Sequence, residues 1–224
     1  MDLAAISGFI AEHPDIRLLF VDDGSSDATE ERLKFLCSGG AAEYLRLSRN
    51  QGKAEAVRQG MRKAAVLETE YAGFWDADLA TPLEELPRML DAADEGGLIY
   101  LSGCRLLRLG GRIQRKRIRH ILGRIFATLI SIHLNLPIYD TQCGAKLYRK
   151  KDIGILFSRP FATRWFFDVE IIKRLEAEYG RTAILEQSME MPLNQWREIG
   201  GSKLRLGRIL IDFARLIFCT KEKR

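Results

Sequence analysis

Cysteine provides no framework in this sequence. Cys37, Cys104, Cys143 and Cys219 stand far apart and form no Cys-x-x-Cys pair. That argues against a zinc knuckle or a disulfide scaffold, and for reduced thiols in a cytosolic setting. The three histidines, His13, His120 and His133, lack ligand spacing, so imidazole-based metal binding is not expected. The longest uncharged run, Ile125 to Tyr139, is interrupted by His133, Asn135 and Pro137. It falls short of the ~18–20 apolar residues that span a bilayer, so the chain can lie on a membrane but is not expected to cross one. No stretch reads as a signal peptide, an internal repeat or a low-complexity tract. No Gly-x-x-x-x-Gly-Lys-Ser/Thr pattern occurs, which removes a P-loop. Acid is also locally missing: Gly96 to Tyr139 contains no Asp or Glu.

What is present suits one globular core. The 224 residues are 46% apolar and 29% charged, with a net charge of +5, and nothing marks a second domain. Short apolar strands alternate with helical segments, which implies an α/β fold with a mostly parallel sheet. Leu3, Ile6, Phe9 and Ile10 have helical spacing, stopped by His13-Pro14-Asp15. Strands are expected at Ile16–Val21, Tyr44–Leu47, Tyr71–Trp75, Leu98–Ser102 and Ala183–Gln187. Helices are expected at Ala28–Leu36, Ala54–Leu67 and Leu83–Ala93.

Acids gather at the carboxyl ends of these strands, where ligands bind in open α/β sheets. Asp76 and Asp78 follow the run Tyr71–Trp75, and strand alternation would point both to one side. No Lys or Arg lies between residues 64 and 87. Two such carboxylates suit a hard divalent cation that also bridges to a diphosphate. The alternative is a solvated turn ahead of the helix opened by Thr81-Pro82-Leu83-Glu84-Glu85. Asp22 and Asp23 end the first apolar run, before Gly24-Ser25-Ser26-Asp27. They can accept hydrogen bonds from a nucleoside, or simply hold a capped turn. Arg49-Asn50-Gln51-Gly52-Lys53 opens a helix in a way that resembles an anion site.

The composition then turns basic. Arg105, Arg108, Arg112, Arg115, Lys116, Arg117, Arg119 and Arg124 share a segment with Ile118, Ile121, Leu122, Ile125, Leu129 and Ile132, spaced by three and four. This is an amphipathic helix. Its arginines can meet anionic lipid, clamp phosphates, or form a solvated face. No recognised nucleic-acid module is present. Asp140, in Asp140-Thr141-Gln142-Cys143-Gly144-Ala145-Lys146-Leu147, ends the acid-free interval, and its positive surroundings should keep it charged. Asp168 and Glu170 follow Trp165-Phe166-Phe167, either a ligand wall beside a carboxylate or a helix start favoured by the dipole. Met191 to Lys203 reads as a polar loop, with Trp196, Arg197, Gly200, Gly201 and Lys203, able to close over an anionic ligand. A second amphipathic helix is expected over 204–221, beside the first at 105–135.

Taken in register, Asp22-Asp23-Gly24-Ser25-Ser26-Asp27, Arg49-Asn50-Gln51-Gly52-Lys53, Asp76-Ala77-Asp78 and the block from Asp140 to Leu147 resemble the family 2 glycosyltransferases. Phe167-Asp168-Val169-Glu170 and Gly201-Ser202-Lys203-Leu204 are most similar to the dolichyl-phosphate β-glucosyltransferase branch of the polyprenyl-phosphate enzymes. The resemblance implies a single GT-A domain over 1–224, Mg²⁺ or Mn²⁺, and inversion at the sugar carbon. It implies a nucleotide-diphosphate sugar donor (UDP-glucose or GDP-mannose) and a polyprenyl phosphate acceptor. The enzyme would be peripheral, on the cytoplasmic inner face of a membrane. By position, Asp22, Asp23, Lys53, Asp76, Arg105, Arg197 and Lys203 would bind the donor, and Asp76 and Asp78 the metal. Asp140, Asp168 and Arg124 would act at the reacting groups.

Two departures from the family pattern stand out. Family members begin with an apolar strand ending in a Pro-Ala-Tyr-Asn-Glu-like segment, and this sequence starts inside the helix that follows it. Ala80 occupies the position where some mannosyltransferase relatives carry a further polar ligand. Two other expectations therefore stand beside the leading one: a family 2 enzyme acting on a saccharide hydroxyl with Asp168 as base, and a truncated, inactive module that binds a membrane surface.

Overall fold

The computed structural model describes residues 2–114, 117–199 and 212. Lys203, the Gly201–Leu204 block, Cys219 and, apart from Asp212, the helix expected over 204–221 lie outside the described residues. The first half alternates as its apolar runs require: α1 (Leu3–Glu12), β1 (Leu18–Asp22), α2 (Thr29–Cys37), β2 (Ala42–Arg46), α3 (Lys53–Ala64), β3 (Tyr71–Trp75), α4 (Glu85–Glu95) and β4 (Tyr100–Cys104). Asp2 caps α1 by accepting the Ala5 N–H at 3.1 Å. The second half holds β5 (Arg112–Gln114), α5 (Arg117–Leu134), β6 (Ala145–Arg149), α6 (Lys150–Leu156), α7 (Phe167–Gln187), β7 (Ser188–Pro192) and β8 (Gln195–Arg197).

The central sheet has the order β3-β6-β4-β7. β4 and β7 are parallel, and β6 runs against both β3 and β4, so the sheet is mixed. β1 and β2 form a separate parallel pair, as do β5 and β8. Strand alternation sorts side chains onto two faces. Ala145 and Leu147 of β6 join Ile6 and Phe9 of α1 and Leu86, Met89 and Ala93 of α4. Tyr148 joins the opposite cluster, with Met61 of α3, Ile130 of α5, Ile153 of α6 and Phe167 of α7.

Residues 183–187 are helical, not the expected strand. α7 is interrupted at Gly180 (φ 78°), then continues to Gln187, and the strand begins at Ser188. Ile184 is buried while its neighbour Leu185 stays exposed, and so short an apolar run does not distinguish the two states by period. The stretch 191–199 is likewise no free loop. It carries the end of β7 and β8, and Trp196 is buried against the α1/α4 side.

β1 bonds to β2 along one edge and β3 to β6 along one edge. Their other edges border a groove of about 1550 Å³ that continues into the cleft at the strands' carboxyl ends. Among the described residues, no helix is long and apolar enough to cross a membrane.

Candidate active site

The cleft is floored by the turns that leave β1 and β3. Asp22 is buried; its Oδ1 accepts the Ser25 N–H at 2.8 Å and its Oδ2 accepts the Tyr44 hydroxyl at 3.0 Å. Burial alone would raise its pKa, but the bonds from Ser25 and Tyr44 outweigh it and hold the carboxyl below its ordinary range. The Tyr44 phenol is correspondingly pushed up to about 12, by burial first and then by Asp22. Asp22 thus holds the turn together. Asp23 accepts the Gln51 and Gly52 N–H groups at 2.7 and 2.8 Å, tying the start of α3 to the end of β1. The turn also needs Gly24: its φ is +70°, and a Cβ there would come within 2.7 Å of the Arg49 carbonyl carbon.

This tie places Lys53 in an ion pair with Asp76. β3 ends at Trp75, so Asp76 and Asp78 lie in a turn and not on strand. The alternation expected to align them does not reach that far. The turn brings both to the cleft instead, with Leu79 in the left-handed region at φ 53°. Asp78 is exposed, and one oxygen accepts the Ala80 N–H at 2.9 Å. The Asp76 carboxylate rests directly on Gly144, where a Cβ would lie 2.0 Å from Oδ2. The donor set is two carboxylates bordering one open cleft, which fits a hard divalent ion completed by diphosphate and water oxygens. No cluster of three or more His, Cys, Asp or Glu suited to a metal occurs among the described residues.

The opposite wall is the loop before β6. Asp140 is buried and receives Nε and Nη2 of Arg105, each at 2.7 Å, and the Arg105 backbone N–H at 3.1 Å. Burial would raise this carboxyl, but the paired guanidinium brings it down to about 2. Arg105 therefore serves Asp140, with its guanidinium carbon 5.3 Å from the centre of the Trp196 ring. Glu190 on β7 accepts the N–H groups of Tyr139 and Asp140 at 2.5 and 2.6 Å. Arg124 on α5 donates to the Tyr139 carbonyl at 2.7 Å, with its guanidinium 3.5 Å from that ring's centre.

Asp168 sits in the first turn of α7, buried, with the Lys146 ammonium 2.9 Å from Oδ1 and the Gln142 amide donating to Oδ2 at 3.4 Å. Burial raises the Asp168 carboxyl above its ordinary range, and Lys146 and Lys53 offset this only in part. Glu170, in the same first turn, accepts the Ala162 and Thr163 N–H groups at 2.9 Å and ties the preceding loop to the helix. Trp165 and Phe166 line the cleft beside Asp168.

Asp22, Asp23, Lys53, Asp76, Asp78, Arg105, Arg124, Asp140 and Asp168 all border this one cleft. Arg197 does not; it is exposed on β8, where its N–H donates to the Ala80 carbonyl at 3.0 Å. Lys146, Glu190 and Gly144 are site residues that no motif in the sequence singles out for a role. Lys146 gave one signal, a lone cation inside the apolar run Ala145–Tyr148.

Acidic turns at strand ends, gathered into one cleft of a mixed α/β sheet, define a GT-A-like domain. The same fold occurs in glucosyl-3-phosphoglycerate synthase from Mycobacterium tuberculosis, solved in complex with Mn²⁺ and UDP-glucose. Its TM-score is 0.68 at 18% identity, over 96% of this chain and 73% of that one. The chain belongs to glycosyl transferase family 2, whose model matches residues 3–156. It is similar to the dolichyl-phosphate beta-glucosyltransferase of Saccharomyces cerevisiae, 29% identical over 88% of this chain and 62% of that protein. The Drosophila melanogaster enzyme is 31% identical over 84% and 57%, and the human one 29% over 91% and 64%. The chain thus spans about six-tenths of the length of these relatives.

Proposed function

We propose that the chain moves a hexose, glucose in first place, from a nucleotide-diphosphate donor to a polyprenyl or dolichyl phosphate at the cytoplasmic face of a membrane. The observation that carries this reading is the continuity of the cleft with α5. Leu122, Arg124, Phe126 and Ala127 line the cleft, while Ile118 and Ile132 of the same helix are 74% and 71% exposed. A lipid tail can follow that apolar face while its phosphate reaches Arg124. The similarity to dolichyl-phosphate glucosyltransferases supports the acceptor. The Mn²⁺ and UDP-glucose complex of the fold relative supports a nucleotide sugar with a divalent ion, Mg²⁺ or Mn²⁺.

In this reading an acceptor phosphate oxygen attacks the anomeric carbon as the bond to the donor diphosphate breaks, inverting that carbon. The oxygen is already anionic, so positioning and charge neutralisation suffice and no strong base is needed. Asp76 and Asp78 would hold the divalent ion, which supplies Lewis-acid stabilisation of the departing diphosphate. Lys53 adds positive charge beside the same group, and Arg124 receives the acceptor phosphate. Lys146 pairs with the buried Asp168 and holds it in place. Asp168 also favours a second reading, since a carboxylate raised by burial can serve as base toward a saccharide hydroxyl.

Donor consumption assayed with polyprenyl phosphate and, separately, with oligosaccharides separates the readings. Turnover should require the lipid phosphate, and Arg124→Ala should lower it by about tenfold or more while sparing donor hydrolysis. Equal loss of both activities would make Arg124 structural. Turnover with oligosaccharides alone would establish the second reading. A folded sample that binds neither UDP nor GDP with Mn²⁺ would leave only a membrane-binding module.

A further inference from the structure

The loop after α5 doubles back along the helix. Asn135 takes the left-handed region at φ 52°, and the Leu136 N–H returns to the Ser131 carbonyl at 3.1 Å. This brings Tyr139 back to Arg124. Two uncharged groups of Tyr139 then fix the guanidinium: the carbonyl accepts Nη1 at 2.7 Å, and the ring centre lies 3.5 Å from the guanidinium carbon. Among the described residues no carboxylate pairs with Arg124, whereas Arg105 is gripped through two nitrogens by Asp140. Arg124 is therefore aimed without being neutralised, and its charge stays available to an anion.

The carbonyl that holds Arg124 belongs to the same peptide unit as the Asp140 N–H. No peptide bond among the described residues is cis, so the N–H and C=O of that planar unit point in opposite directions. Arg124 lies at the C=O end, and Glu190 of β7 lies at the N–H end. Glu190 Oε1 accepts the Asp140 N–H at 2.6 Å, and Oε2 accepts the Tyr139 N–H at 2.5 Å. Two bonds to successive peptides fix the tilt of the plane, which a single bond would leave free to turn. Bonds to a charged acceptor are about twice as strong as neutral ones. A carboxylate at one end and a guanidinium at the other also polarise the amide in the same sense, which strengthens both bonds.

Glu190 is anchored where it stands, on a strand whose partner in register is Ser102 of β4. Burial pushes its carboxyl above the ordinary range, and the two N–H groups offset part of that. Arg124, Tyr139 and Asp140 border the cleft, with Glu190 behind them on β7.

We propose that Glu190 is the positioning residue of the acceptor site: acting through the Tyr139–Asp140 peptide, it aims the Arg124 guanidinium at the acceptor phosphate. The inference rests on the reading that Arg124 receives that phosphate.

Glu190→Gln keeps one acceptor oxygen and sets an NH₂ donor against a backbone N–H, so one of the two bonds is lost. The variant should raise KM for polyprenyl phosphate by about tenfold, while calorimetric binding of UDP with Mn²⁺ keeps its wild-type strength. Combined with Arg124→Ala, it should add nothing to the loss that Arg124→Ala causes alone. Equal losses in acceptor use and donor binding, or losses that add in the double variant, overturn the assignment and make Glu190 a fastening of the loop. The Arg124 side-chain N–H resonance gives a readout free of turnover. In the full chain the Tyr139 ring should shift it upfield, and Glu190→Gln should move it back toward the free-arginine position. A resonance that Glu190→Gln does not move also overturns the link. If Glu190→Gln does not fold, Glu190→Asp, one methylene too short to hold both N–H groups, carries the same test. Wild-type protein that turns over no lipid phosphate would overturn the function reading instead, and the Arg124 resonance would still decide whether Glu190 aims the guanidinium.

Discussion

Asp76 can occupy its place only because residue 144 has no side chain, and Lys53 adjoins it there. Asp78, exposed two residues on, is held among the described residues by the Ala80 N–H, so its loss should leave the fold alone. Asp78→Ala should abolish metal-dependent donor turnover with an unchanged circular dichroism spectrum; wild-type turnover would remove the metal from this site. Lys146 shows the opposite balance. It is 1% exposed and opposes a carboxylate that burial already disfavours. Lys146→Met strands the Asp168 charge and should cost about 3–5 kcal/mol at neutral pH. The folded pKa of Asp168 is raised above its unfolded value, so its ionised form weakens the fold as pH rises. The deficit of the variant should therefore shrink as pH falls and Asp168 takes up its proton. Lys146→Met with Asp168→Leu should recover most of the stability. Denaturant titrations across pH measure both; a pH-independent deficit would mean that Lys146 contributes packing alone. The acids were legible in the sequence because carboxylates at strand ends are conspicuous. Lys146 was not, because its meaning depends on α7 passing over β6.

At the scale of elements, α5 carries the membrane reading. Ile118, Ile121, Ile125, Leu129 and Ile132 remain at the surface, and among the described residues of the helix only Ile130 and Leu134 enter the core. Ile121→Asp with Ile125→Asp should weaken binding to phosphatidylserine-containing vesicles by about tenfold or more without lowering the melting temperature. Unchanged vesicle binding in a sedimentation assay would show that this face meets something other than lipid. The three-and-four spacing made the helix visible in advance. It did not separate a face turned to the core from one turned outward, since both have the same period. Residues 183–187 failed for a related reason: their neighbours, not their composition, decided helix over strand.

Across the whole molecule, the Asp140–Arg105 pair ties the end of β4 to the loop before β6, and Glu190 fastens that loop to β7. Asp140→Asn should leave Arg105 buried without its charge partner, costing about 3 kcal/mol or more at neutral pH. In the native chain Asp140 titrates at about 2, below its ordinary range, so its stabilisation is intact above the unfolded pKa. The gap between the two proteins should narrow only as pH falls from about 4 toward about 2; a constant gap in acid unfolding curves would exclude the ion pair as its cause. The sequence by itself determined the alternation of strands and helices, the acid turns and the basic amphipathic helix, because these follow from local period and turn chemistry. Tertiary structure alone decided that Asp22 holds a turn, that Arg105 serves Asp140, that Lys146 faces Asp168, and that β1 and β3 stand apart around a groove. Each of these is a contact between segments distant in the chain, and no local pattern records such a contact.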